Sequence, residues 1–224
     1  MAYADMPLPI GAGATISAPH MHAIMLDLAA SRIQSGSHVL DVGSGSGYCT
    51  AVFAEMLRAA PGGAGRGKVY GIDHVAPLVE QSRANIRGHD PTMLESGLVE
   101  LIVGDGRRGY HPGAPYQVIH VGAMVEDIIP QPFLEQLAPG GRLIVPVQGM
   151  LMTIDNTAEP TNEPAPSTEQ LFAHTNALGV PTVAFPTHRF YTESHMGVAF
   201  VPLTDLAEQT SGRTRPTRIL WMGF

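Results

Sequence analysis

Val39-Leu-Asp-Val-Gly-Ser-Gly-Ser-Gly47 is the stretch that decides the fold of this chain. It begins as an apolar run that ends at Asp41 and Val42, and it then carries glycine at every second position. This pattern is typical of a buried strand followed by backbone that adopts positive φ or lies against a ligand. Because Tyr48–Arg58 has helical spacing, the glycines form a strand-to-helix turn, which is where α/β sheets bind nucleotides.

The remaining sequence alternates predicted strands and helices. The strands are predicted at His38–Val42, Lys68–Ile72, Leu98–Val103, Tyr116–Val121 and Arg142–Val147, and the helices at Pro19–Ile33, Tyr48–Arg58, Pro77–Arg87 and Pro132–Leu137. This alternation predicts an α/β fold with a doubly wound, mostly parallel sheet. Asp155–Ser167 is rich in acidic residues and prolines and is expected to be a long exposed loop, whereas Met196–Leu203 returns to strand character.

The composition narrows the functional classes. The chain has 224 residues and a formal net charge of −7, so one domain with a full core is expected and a nucleic-acid partner is disfavoured. Its single cysteine excludes an internal disulfide and suits a reducing compartment. No stretch has the length of a bilayer span, and the first residues lack the features of a signal peptide. We expect a cytoplasmic monomer without a membrane partner.

Three predicted strands end in an aspartate beside a glycine, at Asp41, Asp73 and Asp105. In an open parallel sheet the ligand lies across these carboxyl ends, where Asp73 is placed to accept hydrogen bonds from both ribose hydroxyls. Asp41 repels a pyrophosphate and attracts an ammonium or sulfonium group, and the glycine loop lacks the lysine of a P-loop. The ligand that fits is S-adenosylmethionine, a nucleoside with a cationic amino-acid arm. The loop residues expected to bind it are Asp41, Gly43, Ser44, Gly45, Ser46 and Gly47.

Each feature also has a structural alternative. In these alternatives, the glycines would serve only to pack a helix on a strand, Asp73 would cap the following helix, and Asp105 would be only a turn residue. Ser17 has two compatible roles, as a helix cap or as a residue that lines a site. His20 and His22 are two residues apart, a spacing that does not bring side chains together on a helix, so no metal site is expected.

Several longer segments resemble the protein-L-isoaspartate (D-aspartate) O-methyltransferase family. The most specific are Ala14-Thr-Ile-Ser-Ala-Pro-His-Met-His22 and Val201-Pro-Leu-Thr-Asp205, whereas many methyltransferases share the glycine motif. Other matching segments are Tyr3–Gly11, Gly71-Ile-Asp-His74, Val103-Gly-Asp-Gly-Arg107, His120-Val-Gly-Ala123 and Pro139-Gly-Gly-Arg-Leu-Ile144. The likeness covers most of residues 3–148 and about 196–209. It implies the Rossmann-like fold of the S-adenosylmethionine methyltransferases.

The resemblance implies an activity and a set of site residues. The activity is methyl transfer from S-adenosyl-L-methionine to the free α-carboxylate of L-isoaspartyl and D-aspartyl residues in damaged proteins, releasing S-adenosyl-L-homocysteine. The methyl ester collapses to a succinimide, whose hydrolysis returns some normal aspartate. Ser17 would be catalytic, and Ala14, Thr15, Ile16, Ser17 and His22 would line the cofactor and substrate site. Ser46, Asp73, His74, Asp105 and Gly106 would bind the cofactor, with Thr204 and Gln209 closing over it.

The family comparison also suggests how the chain is divided. We expect a single methyltransferase domain with a cofactor-binding core over 1–148, a divergent insertion over 149–195 and a C-terminal strand and tail over 196–224. The helical segment that family members carry before the residues matching Tyr3 is expected to be missing. Two alternatives remain: an S-adenosylmethionine methyltransferase for RNA or a small molecule, and a cofactor-binding module inactivated by N-terminal loss. The acidic balance argues against RNA, and the Ser17 segment against a generic small-molecule enzyme.

Overall fold

The computed structural model describes residues 4–62, 67–126, 128–157, 174–175, 181–182 and 190–204. Its helices are α1 (Pro19–Ala30), α2 (Tyr48–Ala59), α3 (Ala76–His89), α4 (Thr92–Glu95) and α5 (Gln131–Glu135), with 3₁₀ turns at Gly106–Arg108 and His111–Gly113. Its strands are β1 (Leu8–Gly11), β2 (Ala14–Ile16), β3 (His38–Val42), β4 (Lys68–Asp73), β5 (Val99–Val103), β6 (Tyr116–Val121), β7 (Leu137–Val147), β8 (Met150–Asn156), β9 (His174–Thr175), β10 (Pro181–Thr182) and β11 (Phe190–Gly197).

Seven of these strands form one sheet in the order β11-β8-β7-β6-β3-β4-β5. The five strands from β7 to β5 are parallel, whereas β8 and β11 run antiparallel to their neighbours. From β3 the chain proceeds outward to β4 and β5, and it then returns to the other side of β3 as β6. The sheet therefore has its topological switch point between β3 and β6, which is where such sheets place their ligand.

The core lies on both faces of this sheet because successive strand residues point to opposite sides. On one face, Val39 of β3 packs in a cluster with Met25 of α1 and Phe53 of α2. On the other face, Leu40 packs in a second cluster that includes Phe133 of α5. The central strands are buried on both sides, which explains why they are continuously apolar in sequence.

The predicted fold class is confirmed, since the sheet is mostly parallel and is flanked by helices. The strand predictions for His38–Val42 and Tyr116–Val121 agree with β3 and β6 at both ends. The predicted boundary at the start of β7 was wrong, because Leu137 is a strand residue rather than the last residue of a helix. The Pro139-Gly-Gly141 turn lies inside β7, where it interrupts the pairing register with β6.

The sequence patterns also failed near the antiparallel edge. Asp155 was expected in a loop but lies in β8. The strand expected over Met196–Leu203 was wrong at both ends, because β11 runs from Phe190 to Gly197. Met150–Asn156 and Phe190–Gly197 pair with one another inside the main sheet. The division of the chain into a core, an insertion and a tail stays a prediction, although part of the expected insertion is built into this sheet. None of the helices in the described ranges is long and apolar enough to cross a membrane.

Candidate active site

Two adjoining cavities lie at the switch point, at the carboxyl ends of β3 and β6. The larger comprises about 590 Å³ and the smaller about 410 Å³ of space that is open to solvent. Both are lined by Ile10, Thr15, Gly43, Gly45 and Gly122. The cavities therefore form one cleft that narrows where the backbone after β3 meets the backbone after β6.

Glycines make this narrow point possible. Gly122 donates its backbone N–H to the Val42 carbonyl at 2.8 Å, and a Cβ at Gly122 would lie 3.1 Å from the Gly43 carbonyl oxygen. Gly47 has a φ of 83°, and a Cβ there would lie 2.3 Å from Ser82 Oγ. Only glycine therefore lets α2 begin this close to α3.

Asp73, at the end of β4, holds the glycine loop against the sheet. It is 8% exposed; Oδ2 accepts the Gly45 N–H at 3.0 Å and Oδ1 accepts the Val75 N–H at 2.9 Å. Each carboxylate oxygen has about two lone pairs, so each keeps one acceptor position for a ligand in the larger cavity. The helix-cap alternative was wrong, because Val75 is the N-cap residue of α3 and no side chain caps that helix.

Asp105 lines the same cavity from the end of β5. It caps the 3₁₀ turn that follows by accepting the Arg107 N–H at 3.1 Å, and two further bonds of 2.9 Å join its oxygens to the Arg107 guanidinium. The hydrogen bond from the Arg107 side chain holds the pKa of Asp105 below its ordinary value. Asp105 is thus both a turn residue and a charged wall of the larger cavity.

The β1–β2 hairpin and the start of α1 form the opposite wall. Ser17 follows β2 and lines the smaller cavity. Its helix-cap role was wrong, since Ala18 is the N-cap residue of α1. Asp5 takes over that task from upstream by accepting the His20 N–H at 3.1 Å. The Ser17 hydroxyl is therefore not required to cap the helix.

Two histidines line the smaller cavity. His22 Nδ1 lies 3.0 Å from Cys49 Sγ, and the centroid of its ring lies 4.9 Å from the centroid of the Tyr48 ring. His120 Nδ1 lies 2.8 Å from Asp41 Oδ1. Burial lowers the pKa of His22, and burial raises the pKa of the Cys49 thiol well above its ordinary value. Both groups are consequently neutral near pH 7.

Asp41 does not face the cleft as a free carboxylate. It is 1% exposed, and both oxygens are engaged, Oδ1 with His120 and Oδ2 with the Thr50 hydroxyl at 2.5 Å. It lines the smaller cavity, so its charge acts on a ligand there through these two neighbours. The sequence alone favoured direct attraction of a cation by Asp41.

The two cavities contain nearly all of the predicted site residues. The larger is lined by Ala14, Thr15, Gly43, Gly45, Asp73, His74, Asp105, Gly106 and Thr204, and the smaller by Thr15, Ile16, Ser17, His22, Asp41, Gly43, Ser44, Gly45 and Ser46. Gly47 lines neither cavity, and Gln209 lies outside the described residues. Thr204 reaches the cleft because Met124 pairs with Val201 and Leu203 through backbone hydrogen bonds of 2.8 Å each.

The electrostatics of the cleft restrict its ligand. Among its described lining residues there is no lysine or arginine, whereas Asp41, Asp73 and Asp105 supply carboxylates. A phosphate-rich ligand is therefore disfavoured. No group of His, Cys, Asp or Glu able to hold a metal ion occurs within the part of the chain that the structure describes.

Sequence reasoning missed His120 as a lining residue, together with Ile10, Tyr48 and Phe200. His120 is 79 residues from Asp41 in sequence, so their pairing depends on the register between β3 and β6 rather than on any local pattern. The available signals were its position two residues before Gly122, at the end of a predicted strand, and its place in the His120-Val-Gly-Ala123 segment that resembles the family.

Known proteins are similar to this chain in sequence and in fold. The model of the protein-L-isoaspartate(D-aspartate) O-methyltransferase family matches residues 1–173. Protein-L-isoaspartate O-methyltransferase 2 of Arabidopsis thaliana is 49% identical over 147 residues, covering 65% of this chain and 45% of that protein. The Triticum aestivum protein-L-isoaspartate O-methyltransferase is 47% identical over 161 residues, covering 70% of this chain and 67% of that protein. The chain thus spans between about half and two thirds of the length of these relatives.

A solved structure from Plasmodium falciparum gives the same result. It is described as a protein-L-isoaspartate O-methyltransferase in complex with S-adenosyl-L-homocysteine, with a TM-score of 0.71 and 27% identity. The match covers 91% of this chain and 82% of that one. The fold and the family match together lead to one conclusion: the chain belongs to the protein-L-isoaspartate(D-aspartate) O-methyltransferase family.

Proposed function

We propose that this chain transfers a methyl group from S-adenosyl-L-methionine to the free α-carboxylate of L-isoaspartyl and D-aspartyl residues in damaged proteins. The observation that carries the proposal is the cleft at the switch point, with Asp73 on one side and Ser17 on the other. Family membership supports the reaction, and the S-adenosyl-L-homocysteine in the Plasmodium falciparum structure supports the cofactor.

The larger cavity suits the adenosine part of the cofactor. Asp73 keeps one acceptor position on each oxygen, which matches two adjacent ribose hydroxyls. Asp105, Gly106, His74 and Thr204 line the same cavity and would hold the rest of the adenosine. Gln209 stays a prediction as a second closing residue.

The smaller cavity, which Ser17 lines, suits the amino-acid arm. Thr15, Ile16 and Ser17 approach from the hairpin side, and Ser44 and Ser46 from the glycine loop. The cleft has carboxylates but no lysine or arginine among these lining residues, which favours a cationic ligand over a phosphorylated one. The residues present therefore fit S-adenosylmethionine.

S-adenosylmethionine, when bound, supplies an electrophilic methyl group on a sulfonium centre. The acceptor carboxylate is ionised at neutral pH, because unperturbed carboxyl pKa values lie near about 3.3–3.9. No general base is needed, so the chain has to orient the acceptor oxygen and exclude water. Orientation of this kind contributes on the order of 7–11 kcal/mol to lowering a barrier. We infer that Ser17 donates a hydrogen bond that positions the acceptor carboxylate, rather than acting as a nucleophile.

Paired peptides test the proposal. The two peptides have the same sequence and differ only in an isoaspartyl or an aspartyl linkage, and transfer of a labelled methyl group to each is measured. We expect transfer to the isoaspartyl peptide alone. Binding of the cofactor without transfer would favour the inactive binding module, and transfer to RNA or a small molecule would favour the other alternative.

Ser17→Ala separates positioning from binding. The structure places the Ser17 hydroxyl outside the cap of α1, so the variant is expected to fold normally. We expect turnover of the isoaspartyl peptide to fall by about tenfold or more, the loss of one hydrogen bond to a charged group, with little change in affinity for S-adenosyl-L-homocysteine. An unchanged turnover would remove Ser17 from the mechanism. The monomeric state and the cytoplasmic location also remain proposals, which rest on the sequence.

A further inference from the structure

A buried histidine–aspartate pair in the smaller cavity has no role in the mechanism above. His120 is 3% exposed and Asp41 is 1% exposed. Three contacts fix the imidazole of His120. Its Nδ1 lies 2.8 Å from Asp41 Oδ1, and the Thr50 hydroxyl bonds to the second Asp41 oxygen. The centroid of the Phe53 ring lies 5.5 Å from that of the imidazole. The remaining ring nitrogen, His120 Nε2, is buried without a hydrogen-bond partner among the described residues.

We propose that His120, oriented by Asp41, accepts a hydrogen bond from the ammonium group of the cofactor's amino-acid arm. The inference rests on the proposed function and adds a binding residue to it. His120 is the ligand-contacting residue, and Asp41 is a positioning residue that acts through it.

The hydrogen-bonding polarity of the ring selects the ligand group. The Asp41 carboxylate accepts at Oδ1, so the ring proton between the two groups lies on His120 Nδ1, and Nε2 is the acceptor position of the imidazole. Ser44 Oγ, also in this cavity, is a second buried polar atom without a hydrogen-bond partner in the described part of the chain. A group that donates hydrogen bonds and carries positive charge satisfies an acceptor nitrogen beside a carboxylate, and a primary ammonium is such a group.

The electrostatics point the same way. Asp41 is the one formally charged side chain among the described residues that line the smaller cavity. A cation there is attracted by this carboxylate through the imidazole, whereas an anion at the same position is repelled. A buried ring nitrogen without a hydrogen-bond partner is costly. An ammonium group at His120 Nε2 would complete the hydrogen bonding of the histidine–aspartate pair.

Calorimetry with four ligands tests the inference. S-adenosyl-L-homocysteine carries both groups; its decarboxylated analogue keeps only the ammonium, its deaminated analogue keeps only the carboxylate, and 5′-methylthioadenosine has neither. For the wild type we expect about tenfold to a hundredfold weaker binding when the ammonium is removed, the effect of one charge-assisted hydrogen bond. This comparison needs no substitution, so it does not depend on a variant that folds.

Two variants assign the effect to the pair. His120→Phe keeps a flat ring beside Phe53 but removes the acceptor, and Asp41→Asn keeps an acceptor for Nδ1–H but removes the charge. Both are expected to weaken the two ammonium-bearing ligands by about tenfold or more and to leave the deaminated analogue and 5′-methylthioadenosine within about twofold. Thr192→Val is the control. Thr192 lies outside both cavities, and its buried hydroxyl has no hydrogen-bond partner among the described residues, so the substitution should change the affinity for none of the four ligands.

The outcomes separate this inference from the function on which it rests. Equal binding of the aminated and deaminated ligands by the wild type would overturn it, as would equal losses for all four ligands in His120→Phe. Selective loss of the deaminated analogue in that variant would show that His120 binds the carboxylate instead. If the wild type bound neither S-adenosyl-L-homocysteine nor 5′-methylthioadenosine, the cofactor assignment itself would be wrong.

Discussion

Replacing Gly106 by alanine tests how tightly the floor of the larger cavity is packed. A Cβ at this position would lie 2.6 Å from Val42 Cγ1 and 3.7 Å from Ile72 Cγ2. Since carbon atoms pack best at about 3.5–4.0 Å, Val42 has to move by about 1 Å. It is fully buried at the end of β3, so the movement disturbs the sheet. We expect a destabilisation of about 1–3 kcal/mol and weaker binding of S-adenosyl-L-homocysteine.

Urea unfolding of four proteins measures this contact: the wild type, Gly106→Ala, Val42→Ala and the double variant. Val42→Ala removes the colliding methyl group, so the double variant should be more stable than the sum of the single losses predicts, by about 1 kcal/mol or more. Gly88→Ala is the matched control, because Gly88 lies in α3 with nothing within 4 Å of a Cβ. It should stabilise the chain by about 0.5–1 kcal/mol. Additive losses, or a harmless Gly106→Ala, would refute the packing argument.

Two further predictions concern charged groups outside the cleft. Asp155→Asn removes the anion that Arg142 and Arg32 bind at 2.7 and 2.8 Å. Because these guanidinium groups are partly buried, we expect the free energy of unfolding in urea to fall by about 3 kcal/mol. A fall of less than about 1 kcal/mol would contradict this expectation. The hydrogen bond from Arg58 is the main cause that lowers the Asp90 pKa to about 2. This depressed pKa contributes stability that is present above pH 3.8 and is lost as the pH falls towards 2. The difference in unfolding free energy between the wild type and Arg58→Met should therefore shrink over that interval. A difference that stays constant would contradict this.

The central parallel strands were predictable because burial on both faces leaves an uninterrupted apolar run. His38–Val42 and Tyr116–Val121 show this directly. The acidic strand ends were predictable for a related reason: Asp73 and Asp105 interrupt such runs beside glycines, and both line the larger cavity.

The failures share one cause, which is pairing between residues distant in sequence. Asp155 looks like a loop residue, but Arg142 and Arg32 neutralise it inside β8. Ser17 looks like a helix cap, but Asp5 bonds to the start of α1 in its place. Asp41 looks like a free cation site, but His120 occupies one of its oxygens. A local sequence pattern shows which side chain stands at a position, but it does not show which distant residue that side chain contacts.

The most direct test of the account is a crystal structure of the protein with S-adenosyl-L-homocysteine. We expect the ribose hydroxyls within hydrogen-bonding distance, about 2.5–3.0 Å, of the Asp73 oxygens. The amino-acid arm should pass the Gly43–Gly122 narrowing into the cavity lined by Ser17. Density for the ligand at another place on the molecule, or a ribose turned away from Asp73, would contradict the central claim.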